Sequence, residues 1–338
     1  MVNIVFAAGG SIGHIAPCVA VWRAVQTLRP DAVAHFVCSE RAGDNKFLQK
    51  EGVQWTALAE RRLSLWKIPL LTMRAIALLK RWKPDAVFTK GGGVAVPIAL
   101  AAWIRGIPIV VHESDAVEGR ATKWIGKLGA KVIHGFREGN PLRPGITEGS
   151  RDRGFSLTGF SGKRPVLLLM GGSQGAQALN EVFARHSKEI LEHVDVIHIT
   201  GEGKPGAGTH AGYWTKPFVH EELADLYAIA DFAVSRAGAG SITELAANGI
   251  PAILVPLEGV AHDHQTKNAQ AAKECGGCTV LAQISLEETL VPEIRRLAHD
   301  AALRRERSEK MKSLCQAKSD EKVAKILLAV LPEHCQVS

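Results

Sequence analysis

Short, almost uninterrupted apolar runs recur along the chain, each ending near a turn and followed by a helix-length segment. In the first half these are VNIVFAA (2–8), AHFVCSE (34–40), DAVFTKG (85–91), PIVVHES (108–114) and KVIHGF (131–136). In the second half they are PVLLLMGG (165–172), DVIHITG (195–201), DFAVSRAG (231–238) and PAILVPLE (251–258). Apolar strands that alternate with helices predict parallel sheets covered on both faces. Between the halves, GNPLRPGITEGSRDRGFSLTGFSGKRP (139–165) is rich in Gly, Pro and charge and reads as a connection. The expected fold class is therefore α/β: two Rossmann-like, doubly wound parallel-sheet domains, residues 1–150 and 151–338, facing each other across a cleft. The terminal DEKVAKILLAVLPEHC forms one amphipathic helix, and its return to the N-terminal domain is left open.

In such sheets ligands bind beyond the carboxyl ends of the strands, where the following loops converge. Four joints there are rich in glycine: GGSIGH (9–14), KGGGVAVP (90–97), GGSQGAQALN (171–180) and RAGAGSITEL (236–245). Each offers backbone N–H groups at a helix N-terminus, a natural anion site. One such turn is equally explained by close strand–helix packing, but two in each half point to phosphate. The first loop lacks the dinucleotide spacing G-x-G-x-x-G, and no G-x-x-x-x-G-K-[ST] occurs, which disfavours a nicotinamide oxidoreductase. The acid that would hold a ribose comes instead as Glu244, about one and a half turns into the fourth helix. A carboxylate near a helix N-terminus is also favoured for its own sake.

Charge narrows the partners. A formal net charge of +7 over 338 residues favours an anionic ligand or surface, and no nucleic-acid motif accompanies it. RRLSLWKIPLLTMRAIALLKRWK (61–83) carries seven of the bases and no acid, which suits an anionic leaflet as well as an amphipathic core helix with a solvated basic face. Trp66 and Trp82 are of the type favoured at membrane interfaces. No run of about 20 apolar residues appears, so no transmembrane helix is expected. The six cysteines are few, and Cys275-Gly-Gly-Cys278 stands without a second pair, so buried thiols in a reduced, cytoplasmic protein are the expectation.

GGSIGHIAP, HESDAVEG, GNPLR, GGSQGAQALN, RAGAGSITELAANGIPAILVP and DHQTKNAQ occur in the order found in the MurG glycosyltransferases, which the chain resembles from about residue 3 to about residue 275. That resemblance implies the GT-B fold and an inverting, cytoplasmic enzyme. Such an enzyme moves N-acetylglucosamine from UDP-GlcNAc to lipid I, forming lipid II for peptidoglycan. It implies no obligatory metal, and as partners a lipid-linked acceptor, an anionic membrane surface and other cell-wall synthesis enzymes. His14 would be the catalytic base. Gly10 would lie on the acceptor side, and Ser11, Ile12 and Gly13 against the reacting sugar. Ser173, Ala239, Gly240, Ser241, Ile242 and Thr243 would bind the donor around its diphosphate, Glu244 its ribose and the Val219 backbone its uracil. Asn180 and Gln265 would serve the sugar, and Arg143 the nucleotide. Leu63, Leu65, Trp66, Ile68, Leu70 and Leu71 would form the membrane patch.

For three positions the residues alone allow a plainer role. His14 could cap a helix that Pro17 helps begin. Glu113 and Asp115, placed on the acceptor side, could orient His14, accept from sugar hydroxyls, or merely cap the next helix. The chain also departs from the family pattern. Ser11 and Ile12 stand where the family's first loop has Thr and Gly, Gly93 replaces an aromatic residue, and Glu118 a frequent proline. If position 12 requires a positive φ, Ile12 is strained there. The donor motifs are nearer to type than the acceptor motifs. Another lipid acceptor such as diacylglycerol, or a non-catalytic UDP-sugar-binding protein, are the alternatives.

Overall fold

The computed structural model describes residues 1–9, 12–40, 42–59, 65–172, 175–259 and 263–335. The chain forms two compact units, Met1–Arg143 with Gln316–Ser338, and Pro144–Cys315. The division falls a few residues ahead of the expected position 150, and the C-terminal helix belongs to the first unit.

The first unit runs β1 (Val2–Ala7), α1 (Ile12–Leu28), β2 (Ala32–Ser39), α2 (Ala42–Lys50), β3 (Trp55–Ala59), α3 (Ile68–Trp82), β4 (Ala86–Thr89), α4 (Ala95–Ile104), β5 (Ile109–Glu113), α5 (Arg120–Lys127), β6 (Lys131–His134) and the single turn α6 (Gly135–Glu138). The second runs α7 (Arg151–Thr158), β7 (Val166–Met170), α8 (Gln177–His193), β8 (Asp195–Ile199), β9 (Tyr213–Lys216), α9 (Leu223–Ile229), β10 (Phe232–Ser235), α10 (Ala239–Ala247), β11 (Ala252–Leu254), α11 (His264–Lys273), β12 (Cys278–Val280), α12 (Leu286–His299) and α13 (Ala301–Lys312). The last helix, α14 (Ser319–Ala329), returns to the first unit and packs on α1.

Both sheets are six-stranded and parallel, ordered β3-β2-β1-β4-β5-β6 and β9-β8-β7-β10-β11-β12. These are one and the same doubly wound order. The apolar runs mark every inner strand and β6; the strands they miss, β3, β9 and β12, are edge strands.

The core of the first unit centres on Phe6, which stacks on Phe36 at 5.1 Å and meets Phe88 and Trp22. Val323, Ala324 and Leu327 of α14 are fully buried in the same cluster. Pro17 lies within α1, several residues past its start, so it does not begin that helix.

Truncation of Phe6 to Ala removes a fully buried ring that three aromatic neighbours surround. It should cost about 3–5 kcal/mol, read as an earlier denaturant midpoint for the first unit.

Candidate active site

The doubly wound order puts the switch point of the first sheet between β1 and β4, and that of the second between β7 and β10. The loops leaving those four strands are the four glycine-rich joints of the sequence. After β1 the chain passes so close to β2 that a Cβ on Gly9 would lie 2.7 Å from the Ser39 nitrogen and 3.2 Å from Val94 Cγ2. Only glycine fits. Gly10 and Ser11 lie outside the described residues. Ile12 opens α1 in helical conformation; the described non-glycine residues with positive φ are Lys83, Asp263 and Lys318, so the strain considered for Ile12 does not arise.

Gly13 is exposed and His14, in the first turn of α1, is half-buried. The Gly9 carbonyl accepts from His14 Nδ1 at 3.3 Å, which puts the ring proton on Nδ1 and the lone pair on Nε2. Burial lowers the imidazole below its ordinary value and the Lys90 charge adds to this; the Gly9 bond, Asp115 and Glu113 oppose it. Gly92, at φ +81°, lies against the ring, where a Cβ would sit 3.6 Å from His14 Nδ1.

Beyond β4 and β5 lies a buried polar chain. Lys90 Nζ donates to His112 Nδ1 at 2.8 Å and to Ser114 Oγ. His112 Nε2 donates in turn to the Gly139 carbonyl at 3.0 Å. Burial draws Lys90 down to about 8 and, with the Lys90 charge, holds His112 well below its usual range. Glu113 takes the plain role the residues allowed. Its carboxylate accepts from Asp115 N, Gly119 N and Thr122 Oγ1 at 3.2, 2.9 and 2.6 Å, so it ties down the loop and the start of α5. None of these three bonds runs to His14. Asp115 is half-buried in the loop that follows.

In the second unit, α10 starts at Gly238 with no side-chain cap and no acid in its first turn. Its N–H groups are thus open to an anion. A Cβ on Gly240 would meet nothing within 4 Å, so the helix end is sterically open as well. Ala239 and Ile242 are buried, Ser241 and Thr243 half-buried, and Thr243 Oγ1 donates to the Ala239 carbonyl at 2.8 Å. Glu244 accepts from Tyr227 Oη at 2.8 Å. Gln265 Oε1 accepts from Leu257 N at 3.0 Å, which fixes the plane of its amide. Arg236, buried at the end of β10, donates to the carbonyls of Val255 and Pro256 and to Gln283, binding the loops after β10 and β11 together. Val219 is buried in the loop after β9.

Asn180 is occupied otherwise than expected: buried in α8, it donates to the Thr200 carbonyl at 2.9 Å and accepts from His198 Nε2 at 3.1 Å. Ser173 lies outside the described residues, and Arg143 closes the first segment of the first unit. Of the expected patch, Trp66 and Leu70 are exposed and Ile68 half-buried, whereas Leu71 is a core residue, 5% exposed. Leu63 and the Leu65 side chain lie outside what is described. Met73, Trp103 and Ile104 add further exposed apolar surface on α3 and the adjoining α4. Trp82 turns inward and stacks on His35 at 4.8 Å.

Sequence reasoning missed Lys90, His112, Tyr227 and Arg236. Lysine at the carboxyl end of an otherwise apolar strand, in DAVFTK, was a signal, as was histidine inside PIVVHES. Tyr227 carried none, because a tyrosine on an amphipathic helix is ordinary core material.

Two parallel sheets of one doubly wound order, with glycine loops at both switch points, are the architecture of the GT-B glycosyltransferases. The glycosyltransferase family 28 N-terminal domain matches residues 4–134 and the family 28 C-terminal domain residues 166–326. A Bacillus cereus relative named UDP-N-acetylglucosamine–N-acetylmuramyl-(pentapeptide) pyrophosphoryl-undecaprenol N-acetylglucosamine transferase 2 is 32% identical over 83% of this chain and 87% of its own. A transferase of the same series from Geobacillus kaustophilus is 33% identical over 87% and 90%. The crystal structure of Acinetobacter baumannii MurG superposes with a TM-score of 0.76 at 27% identity, covering 96% of this chain and 98% of that one. The chain belongs to the MurG family, within glycosyltransferase family 28.

Glu113→Gln weakens three charge-assisted hydrogen bonds at the start of α5. Amide exchange at Asp115 and Gly119 should accelerate about tenfold or more, the equivalent of roughly 1.5 kcal/mol per bond, while exchange in the second unit stays as it was.

Proposed function

We propose that the protein transfers N-acetylglucosamine from UDP-GlcNAc to lipid I with inversion at the anomeric carbon. The relatives' names carry the substrates. The observation that carries the chemistry is the state of His14, with its proton on Nδ1 towards Gly9 and its Nε2 lone pair available to a substrate.

In this reading the acceptor hydroxyl attacks the anomeric carbon and the bond to the UDP oxygen breaks. The hydroxyl proton passes to His14 Nε2. Charge builds on the departing diphosphate, and the uncapped start of α10 with open Gly240 is suited to receive it without reorganisation. Glu244, held by Tyr227, accepts from the ribose, and Gln265, held by Leu257 N, donates its amide to the sugar. Ser173, Ser241 and Val219 complete the donor site, and Ser11 and Asp115 serve the acceptor side. Among the described residues no group of three or more His, Cys, Asp and Glu is arranged to hold a metal ion, and this mechanism routes no step through one.

Membrane attachment belongs to the same proposal. Trp66, Leu70 and Met73 are exposed beside Lys67, Arg74, Lys80 and Arg81, a combination suited to the anionic inner leaflet of the plasma membrane. Among the described residues no helix is long and apolar enough to cross a membrane.

The test is transfer of labelled GlcNAc to a short-chain lipid I analogue, with diacylglycerol as a parallel acceptor. Product on lipid I alone is expected; label on diacylglycerol, or on neither despite donor binding, overturns the acceptor assignment. His14→Ala should lower transfer by about 10²–10⁴-fold while UDP-GlcNAc binding stays within about threefold; loss of donor binding would remove His14 from the base role. Glu244→Ala should raise the donor KM by about ten-fold or more with a smaller effect on kcat, and the reverse pattern would take Glu244 off the ribose. Trp66→Ala with Leu70→Ala should reduce sedimentation with anionic vesicles and leave transfer to a water-soluble acceptor intact.

A further inference from the structure

Lys90 is 5% exposed, yet among the described residues its hydrogen-bond partners are a neutral imidazole and a hydroxyl, and Glu113 beside His112 accepts from Asp115, Gly119 and Thr122. A lysine is seldom buried on such terms, because desolvating the ammonium is costly without a carboxylate in contact. Its neighbours in the chain explain what it holds. Gly91 and Gly92 follow directly, at φ +70° and +81°, and Gly92 lies against the His14 ring.

We propose that Lys90 is a positioning residue for His14: anchored to His112 and Ser114, it holds the Gly91–Gly92 turn against the imidazole and sets a positive charge at the head of that turn. The inference rests on the reading of His14 as the base.

The groups around the ring fit this arrangement. On α1 itself, burial pushes the Cys18 thiol up to about 12, so it carries no charge at neutral pH. From β5, His112 is kept neutral by burial and by Lys90. Asp115 and Glu113 pull the His14 equilibrium towards protonation, and Lys90 opposes them. His134 on β6 acts on His112 and lies 3.5 Å from Glu118. Lys90 is thus the cation that offsets the two carboxylates at His14. The sign follows directly: a positive neighbour disfavours imidazolium, lowers the pH at which the base is lost, and extends activity on the acid side.

The experiment follows the ring nitrogens of isotopically labelled histidine by NMR across pH in the full-length protein without substrates, with His14→Gln to assign the signal. In the parent, His14 should titrate below about 6.5 and show a second, smaller inflection where Lys90 loses its proton, near 8. In Lys90→Met the second inflection should vanish and the His14 midpoint rise by about half a unit to one unit. The acid limb of kcat/KM should rise by the same amount, and the UDP-GlcNAc Kd stay within about twofold. Lys90→Arg, which keeps the charge, should restore the parent midpoint. An unchanged midpoint in Lys90→Met, with or without a lower rate, makes Lys90 structural and overturns the proposal. So does a parent titration with a single inflection, a result that requires no variant to fold. If the midpoint moves but the acid limb does not follow, the coupling of Lys90 to His14 stands and the base role of His14 falls.

Discussion

Everything that bears on chemistry depends on the pairing of β1 with β4 in one sheet and β7 with β10 in the other. Neighbouring parallel strands that come from opposite halves of a doubly wound sheet send their following helices away on opposite sides. Their carboxyl ends therefore face a gap that no crossover fills. In the first unit Thr89 Oγ1 donates to the Ala7 carbonyl at 2.7 Å and also accepts from Gly91 N, so the seam is locked at the point where both loops depart. Gly9, with no room for a Cβ, brings the first loop down onto that seam. His14, Lys90 and the turn between Gly91 and Gly92 have their positions from it.

The two units use one topology for opposite electrostatic ends. The first gathers buried titratable side chains at its switch point, where burial holds imidazoles neutral and draws an ammonium down. The second leaves a helix end bare of side-chain caps and first-turn acids, and Arg236 at the end of β10 gives its guanidinium to Val255, Pro256 and Gln283. A proton acceptor must be kept uncharged, while an anion site must be kept electropositive without a mobile counter-charge. One sheet edge would serve both poorly. Sugar transfer from a diphosphate needs both at once, and in the proposed mechanism each is built on its own copy of the fold.

The inner strands were legible because burial on both faces leaves an unbroken apolar run, as in PVLLLM or PIVV. The missed strands Trp55–Ala59, Tyr213–Lys216 and Cys278–Val280 lie at sheet edges, where one neighbour is absent and polar residues are tolerated. Their sequences, WTALA, YWTK and CTV, carry no such run. At the site, glycine loops announced the backbone, since a missing side chain is visible in a sequence. The partners of a polar side chain are not. Nothing in HESD tells that Glu113 serves three donors in the following loop and the start of α5, or that Asn180 spends its amide on Thr200 and His198. Leu71 was misplaced for the related reason that one face of a helix cannot be oriented from a stretch apolar nearly all round.

The second glycine loop shows how a departure from the family pattern can be carried. Three consecutive glycines, Gly91 to Gly93, lose more backbone freedom on folding than any other tripeptide, and here the aromatic ring that would help fix them is missing. The loop is held instead from its two ends. Lys90 at its head is buried and anchored through Nζ, and Val94 at its foot is 4% exposed, its Cγ2 only 3.2 Å from where a Cβ on Gly9 would lie. Between these anchors the turn has the positive φ values that bring Gly92 onto His14. A ring at position 93 would order the loop by contact with its surroundings; a lysine at position 90 orders it from within and adds a charge to the pocket. The wall beside His14 is thus built from the chain's own buried network, and Gly93 is left exposed.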